Sequence, residues 1–416
     1  MRTLLLTLLI LQHTVTFAQQ SQDWSTFRGP THQGVTDAKN LPLKWSQTEN
    51  IAWKVELPGP GASSPIVFGG HIYITSYSGF FVEGKEGDQK DLKRHLLCFD
   101  KAGKKLWEKS LPAKLPEENS IRDHGFAAST PAADKDMVIC FFGKSGVYAF
   151  DHTGNQLWHA DVGDKTHGWG SAASPVIYKD LVFINASVES DSLVALDRKT
   201  GKQKWKAPKI HEAWNTPVVI ENVNKKPELI IATQGSVHAY NPDNGKPLWT
   251  CATEITWYMV PSIVAHEGII YCLGGRSGVA GLAVRSGGSG EVTKTHRLWT
   301  SQKGSNVTSP VIKDGHLYWM NDNQETAYCA EAKTGKVIYQ QRMSRAGQVY
   351  ASALLADDRI YYLTRDGKTF VVAAKPTYEE LAVNDLRDGS IFNATFAVDG
   401  KRLLVRSDRF LYAIGK

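Results

Sequence analysis

Residues 194–205 read VALDRKTGKQKW, an apolar stretch that ends in a polar turn and is followed by a tryptophan. The run Val194-Ala195-Leu196 suits a buried β-strand, and Lys199-Thr200-Gly201-Lys202 has the glycine and polar residues of a tight turn. The same order of strand, turn and aromatic residue occurs elsewhere in the chain, at Asp100 with Trp107, Asp151 with Trp158, Asn241 with Trp249, Arg285 with Trp299, and Glu331 with Tyr339. This pattern indicates a structural repeat.

A second phrase of small, hydroxyl and proline residues occurs eight times. Most copies are roughly 45 residues apart, and the first step is longer, 66 residues from Pro65 to Pro131, because a charged loop is inserted there. The copies are Ser63-Ser64-Pro65, Ser129-Thr130-Pro131, Ala173-Ser174-Pro175, Asn215-Thr216-Pro217, Val260-Pro261-Ser262, Thr308-Ser309-Pro310, Ala351-Ser352-Ala353 and Asn393-Ala394-Thr395. Apolar runs such as Leu181-Val182-Phe183-Ile184 follow each copy. Four strands in a repeat of this length make one propeller blade, so the sequence predicts an all-β, eight-bladed β-propeller.

The two ends of the chain predict how the ring closes. The last repeat stops at Leu411-Tyr412-Ala413-Ile414, where its turn and outer strand would otherwise follow. Near the start, Ile51-Ala52-Trp53-Lys54-Val55 resembles the outer strand Leu106-Trp107-Glu108-Lys109. We therefore expect this N-terminal strand to complete the eighth blade, which removes an exposed sheet edge.

The first residues have the pattern of a cleavable signal peptide. Arg2 gives a basic start, Leu4 to Leu11 form an apolar stretch, and Thr16-Phe17-Ala18 ends in the small residue typical of a cleavage site. The predicted organisation is a signal peptide at 1–18, an N-terminal extension at 19–50 and the propeller at 51–416. We expect a periplasmic or extracellular protein without a transmembrane segment, because no later run approaches membrane-spanning length.

Charge and cysteine usage narrow the functional classes. The net charge of +6 is spread along the chain, which does not favour nucleic-acid binding. The charged run Glu83 to Arg94, in an insertion of the first repeat, predicts a solvated loop. Four cysteines take apolar repeat positions, which predicts core residues rather than disulfides, and Cys251 is unassigned; the four are Cys98, Cys140, Cys272 and Cys329. We expect a monomer.

The pattern from Ala195 to Trp205, repeated in register over residues 51–416, resembles the pyrroloquinoline-quinone (PQQ)-like propeller repeat. The opening Trp24-Ser25-Thr26-Phe27-Arg28-Gly29-Pro30 looks like the leader of secreted bacterial PQQ-like proteins of the BamB-like type. The resemblance implies one of two functions. Quinoprotein dehydrogenases hold PQQ and calcium in the central funnel, whereas BamB-like scaffolds bind partners without a cofactor. The chain lacks the vicinal cysteine pair and the haem motif of the dehydrogenases.

Residues that precede the innermost strands are the candidates for a site at the funnel mouth. The candidate ligand- or cofactor-binding residues are Arg122, Asp123, His124, Trp169, Glu212, Trp214, Asn215, Trp257, Tyr258, Asn306 and Tyr350. Asp123 and Glu212 are the acids that could bind calcium or act as a base. The tryptophans could stack a planar or sugar ring, although propellers also pack aromatic residues between blades. The histidines lack the paired spacing of a zinc site, so no metal site is predicted from them.

Two functional hypotheses follow from the resemblance and the candidate residues. The first is a secreted or periplasmic, non-catalytic scaffold that binds a protein or an envelope glycan. The alternative is a calcium- and PQQ-dependent alcohol or sugar dehydrogenase. A cluster of inward carboxylates would separate the two, and the candidate lining is aromatic and amide-rich rather than acidic. The sequence assigns no catalytic residue.

Overall fold

The computed structural model describes residues 23–416, except residues 83, 123 and 345. The predicted signal peptide, residues 1–18, lies outside the described residues. No helix within the described ranges is long and apolar enough to cross a membrane.

Eight antiparallel sheets follow one another along the described chain, as the repeat predicts. In blades 1–4, from the innermost to the outer strand, the strands are Ile66–Phe68, His71–Ser78, Lys93–Asp100 and Lys105–Pro112; Ala132–Ala133, Val138–Phe141, Val147–Phe150 and Gln156–Ala160; Val176–Tyr178, Leu181–Ala186, Ser192–Asp197 and Gln203–Pro208; Val218–Glu221, Pro227–Thr233, Ser236–Tyr240 and Pro247–Ala252. In blades 5–8 they are Val264–His266, Ile269–Leu273, Gly281–Arg285 and Arg297–Ser301; Val311–Lys313, His316–Met320, Thr326–Glu331 and Val337–Arg342; Leu354–Ala356, Arg359–Leu363, Lys368–Ala373 and Glu380–Asp385; Ala397–Asp399, Arg402–Arg406, Phe410–Ile414 and Ile51–Glu56. The protein is an eight-bladed β-propeller.

Few other elements occur in the described residues. Two short strands, Val35–Thr36 and Gly290–Glu291, pair in parallel with blades 7 and 4. The short helices are Gln89–Asp91, Gly143–Ser145, Ser187–Ser190 and Thr293–His296.

The ring closes through the strand that the sequence predicts. Ile51–Glu56 is antiparallel to Phe410–Ile414, with Trp53 opposite Ala413 and Val55 opposite Leu411. Strands from opposite ends of the chain thus share one sheet, and Phe410–Ile414 is paired on both sides.

The repeated tryptophans join neighbouring blades. The indole Nε1 of Trp158 donates to the Arg198 carbonyl of the next blade at 2.8 Å, and Trp205 does the same to Pro242 at 3.1 Å. Gly201 has a φ of 70°, and an added Cβ there would lie 2.6 Å from the Trp158 ring. The turn glycine is required because the indole packs directly on its backbone. Trp249 is also buried, but its Nε1 bonds Glu228 of its own blade at 2.9 Å.

The N-terminal extension crosses the ring. The Trp24 carbonyl accepts from Val67 of blade 1, and the Ser25 carbonyl accepts from Ala133 of blade 2. Across the axis, the side-chain oxygen of Gln33 accepts from the backbone N–H of Ala265 of blade 5 at 2.8 Å. All three donors belong to innermost strands, which are sheet edges. Residues 24–34 therefore cover the inner edges of blades on opposite sides of the axis.

The insertion in the first repeat is more ordered than the charge pattern predicts. Its hairpin, Phe80–Val82 with Lys85–Gly87, packs Phe80 and Val82 against a buried cluster that includes Tyr77 and Phe126. Arg94 is buried and pairs with buried Glu117 at 2.5 Å. The Arg94 guanidinium also donates to the Phe142 carbonyl at 2.7 Å. The expectation of a solvated loop from Glu83 to Arg94 was therefore wrong at its Arg94 end.

All five cysteines are buried and free of disulfide bonds, including Cys251. Burial raises the pKa of the Cys98 and Cys272 thiols to about 12 and that of Cys329 to about 11. The predicted structural role of the cysteines is confirmed.

Candidate functional site

A central cavity opens where the chain enters the innermost strands, and it has three levels. Its space, continuous with solvent, measures about 1000 Å³. The funnel mouth is formed by His124, Trp169, Trp214, Tyr258, Arg276, Tyr350 and Asn393. Below it lies one serine or threonine from each blade, and Phe27 of the N-terminal extension also contributes to the wall. Since the extension bonds the innermost strands beyond these hydroxyl residues, Phe27 forms the floor of the funnel.

The hydroxyl residues make a closed circle of hydrogen bonds, which we call the hydroxyl ring. Each backbone N–H donates to the side-chain oxygen of the corresponding residue in the next blade. The ring consists of Ser64, Thr130, Ser174, Thr216, Ser262, Ser309, Ser352 and Thr395, with N···O distances from 2.9 to 3.3 Å. The phrase recognised in the sequence therefore supplies an inter-blade bond. In the fifth and eighth copies the ring residue is the last of the phrase, Ser262 and Thr395.

Three aromatic side chains cluster on one side of the mouth. The Trp169 and Tyr258 ring centroids are 5.6 Å apart, and those of Trp214 and Tyr258 are also 5.6 Å apart. The Trp214 Nε1 donates to the Gly170 carbonyl at 2.7 Å, which fixes the orientation of the indole. The cluster gives the mouth a preformed apolar surface for a flat ring.

Three arginines stack on aromatic residues around this mouth. The guanidinium carbon lies 5.0 Å from the Trp169 ring centroid for Arg122, 5.7 Å from Trp257 for Arg276, and 4.3 Å from Tyr350 for Arg365. These distances are within the range of cation–π contacts. The lip of the funnel therefore combines aromatic rings with arginine side chains.

The structure brings five of the predicted site residues together in the funnel wall: His124, Trp169, Trp214, Tyr258 and Tyr350. Arg122 and Trp257 flank the wall through their contacts with Trp169 and Tyr258. Trp257 is 39% exposed and lies at the rim.

The remaining candidates lie elsewhere. Asn215 is buried, and its side-chain N–H donates to the Ala232 carbonyl at 2.6 Å, so it bonds a backbone group and does not line the funnel. Asn306 is buried and donates to the Tyr258 hydroxyl at 3.3 Å, which places it behind the mouth. Glu212 is not among the wall residues, and its backbone carbonyl accepts from Met259 at 2.8 Å. Asp123 lies outside the described residues.

Sequence reasoning missed Phe27, Arg276 and the side-chain role of the hydroxyl ring. Arg276 lies in the loop after the second strand of blade 5, whereas only residues preceding innermost strands were considered. The recurrence of a hydroxyl residue in every phrase was a signal for the ring. Phe27 belongs to a segment without periodicity, and no comparable signal marks it.

The described wall does not fit a calcium–PQQ site. Calcium takes several oxygen ligands, usually with carboxylates among them, whereas the described wall residues include no aspartate or glutamate. Elsewhere in the described ranges, histidine, cysteine, aspartate and glutamate do not form a group of three or more suited to a metal ion.

A second cavity, of about 400 Å³, lies beside the mouth and is lined by polar residues that include Arg94, Glu117 and Ser171. Glu189 is buried next to it and accepts a hydrogen bond from the Ser171 hydroxyl. Burial raises the pKa of the Glu189 carboxyl to about 7, and the nearby Glu117 charge adds to this effect. This carboxyl therefore titrates near neutral pH.

Comparison with known proteins places these features in a family. The family described as outer membrane protein assembly factor BamB matches residues 89–289 and 233–390, which together are more than half of the chain. BamB from Shewanella oneidensis is 24% identical over an alignment of 263 residues that covers 58% of this chain. The chain spans 64% of the length of that curated relative.

Solved structures show the same fold. BamB from Moraxella catarrhalis aligns with a TM-score of 0.64 and 12% identity over 88% of this chain and 97% of that one. A europium-containing methanol dehydrogenase aligns with a TM-score of 0.67 and 13% identity, over 96% of this chain and 99% of that one. The quinohemoprotein alcohol dehydrogenase of Comamonas testosteroni aligns with a TM-score of 0.64 and 12% identity, over 95% of this chain and 81% of that one. An assembly factor and two dehydrogenases thus share one fold, and function must be argued from the site.

Proposed function

Because the chain belongs to the BamB-like family of PQQ-repeat propellers, we propose that it is a non-catalytic binding scaffold whose funnel mouth receives a ligand group. The scaffold is exported by its signal peptide and works in the periplasm or outside the cell. Its partner is an envelope glycan or a protein that inserts a side chain into the funnel.

One observation carries this proposal. The described wall offers aromatic faces, hydroxyl groups and arginine, but no carboxylate that could bind calcium or take a proton from a substrate alcohol. Aromatic residues with a few polar groups in a preformed concave site are typical of ligand recognition.

The local hydrogen bonds support a rigid site. The indole of Trp214 is held by the Gly170 carbonyl, and the backbone N–H of Trp169 donates to His167 Nδ1 at 3.1 Å. Side chains that are fixed before binding lose little conformational entropy when a ligand arrives. The propeller thus presents the aromatic cluster in a binding-ready arrangement.

The proposal is tested by titrating envelope-glycan fragments into the purified mature protein by calorimetry. We expect saturable binding that is lost in Trp169→Ala and Trp214→Ala. Leu157→Ala, which truncates a 46% exposed side chain on the outer strand of blade 2, is the matched control and should bind like the wild type. Glycan binding that survives both tryptophan substitutions would contradict a site at the mouth.

A further inference from the structure

The hydroxyl ring presents unused hydrogen-bond donors to the funnel. Each side-chain oxygen accepts the N–H of a neighbouring blade, for example Thr395 to Ser64 at 3.0 Å. None of the eight hydroxyl groups donates to another residue within the described ranges, although all are at least 95% buried and line the cavity. A hydroxyl group that already accepts one hydrogen bond can still donate one, so the ring can bind a ligand or water that brings acceptor oxygens.

The Arg276 guanidinium at the mouth also favours a ligand with acceptor oxygens. Arg276 lies in the wall, and its guanidinium makes no hydrogen bond or ion pair with the residues that the structure describes. A guanidinium stacked on a ring keeps its N–H groups at its edge, where a carboxylate can accept them in pairs. Arg122 and Arg365 lie against the rings of Trp169 and Tyr350 at two other points of the rim.

The aromatic cluster defines the rest of the ligand. Trp169 and Tyr258 are inclined at 42° and expose ring faces to a cavity whose floor is Phe27. Such faces stack on the flat, apolar side of a sugar ring. We propose that the funnel binds an acidic saccharide, with its sugar rings on the aromatic cluster, a carboxylate directed to Arg276 and further oxygens directed to the hydroxyl ring. This inference rests on the proposed function and specifies its ligand.

The first experiment compares a uronic-acid trisaccharide, trigalacturonate, with its fully methyl-esterified form. The two probes have the same rings and differ in charge. We expect trigalacturonate to bind at least about tenfold more tightly at low salt, because a hydrogen bond to a charged group is stronger than one to a neutral ester. Arg276→Gln should remove most of this difference, whereas Arg276→Lys should retain part of it.

A second pair of variants tests the ring. Ser262 accepts the longest bond of the circle, 3.3 Å from the Thr216 N–H, so Ser262→Ala should disturb the fold least. We expect Ser262→Ala to weaken trigalacturonate binding several-fold. Ser262→Thr should restore it, because threonine occupies the equivalent position in three other blades. Melting temperatures of both variants separate a lost donor from a loosened ring.

The outcomes separate the inference from the proposed function. Preferential binding of the acid that depends on Arg276 and Ser262 supports the inference. Equal binding of acid and ester, lost together in Trp169→Ala, would overturn the inference while the scaffold function stands. Absence of binding for both probes would also overturn it, and the scaffold function would then depend on the separate PQQ test below.

Discussion

The backbone N–H of Thr395 donates a hydrogen bond of 3.0 Å to the hydroxyl oxygen of Ser64, across 331 positions of the chain. This bond joins the eighth blade to the first at the level of the funnel. The pairing of Ile51–Glu56 with Phe410–Ile414 joins the two ends of the chain within blade 8. The propeller is therefore closed twice, once by side-chain hydroxyls and once by a strand.

The strand closure predicts the effect of truncation. A mature protein that begins after Val55 lacks most of the outer strand of blade 8 and exposes the backbone of Phe410–Ile414. We expect aggregation or loss of cooperative unfolding, because an open edge can pair with other chains. Size-exclusion chromatography and thermal melting test this against a control that begins at residue 19. A soluble monomer with unchanged melting would contradict the role of this strand.

Trp158 provides a test of the inter-blade contacts. Trp158→Ala should lower the free energy of unfolding by about 3–5 kcal/mol, because it removes a buried indole from its packing on Gly201. Trp158→Phe should lower the free energy of unfolding less, because an aromatic ring remains and only the hydrogen bond to the Arg198 carbonyl is lost. Denaturant titration measures both. A Trp158→Ala protein with wild-type stability would show that the indole does not join the blades.

The cysteines predict indifference to redox conditions. Because all five are buried and unpaired, a reducing agent should leave the melting temperature unchanged. Raised thiol pKa values also predict slow alkylation of the native protein at neutral pH, since the thiolate is the reactive form. Mass spectrometry after alkylation, with and without denaturant, tests this. Reduction that adds two hydrogens per pair and destabilises the protein would be inconsistent with it.

Glu189 predicts a pH-dependent stability. Its folded pKa of about 7 exceeds the ordinary 4.5, so between these values the folded state binds more protons than the unfolded state. The contribution of Glu189 to stability therefore falls as pH rises from about 4.5 to 7 and then levels off. Glu189→Gln should be near neutral at pH 4.5 and stabilise by up to about 3 kcal/mol at pH 8. Equal effects at both pH values would contradict the raised pKa.

The sequence predicted the fold well because the repeat is encoded locally. Gly201 and Trp158 occur in the turn and outer-strand positions of successive repeats, and their contact defines how blades pack. The signal at the site was weaker. A polar residue before an innermost strand can face the funnel, as His124 does, or cap backbone, as Asn215 does, and the sequence around each does not distinguish them. The position of Phe27 depends on contacts with several distant blades.

The central claim, that the funnel is a binding site and not a quinone-dependent active site, is tested most directly by incubating the protein with PQQ and calcium. A cofactor that binds the folded state must stabilise it. We expect no calcium-dependent rise in melting temperature and no dye-linked oxidation of alcohols or sugars at concentrations far above a plausible Kd. A stoichiometric quinone spectrum with calcium-dependent stabilisation and dye-linked oxidation would contradict the scaffold account and identify an oxidoreductase.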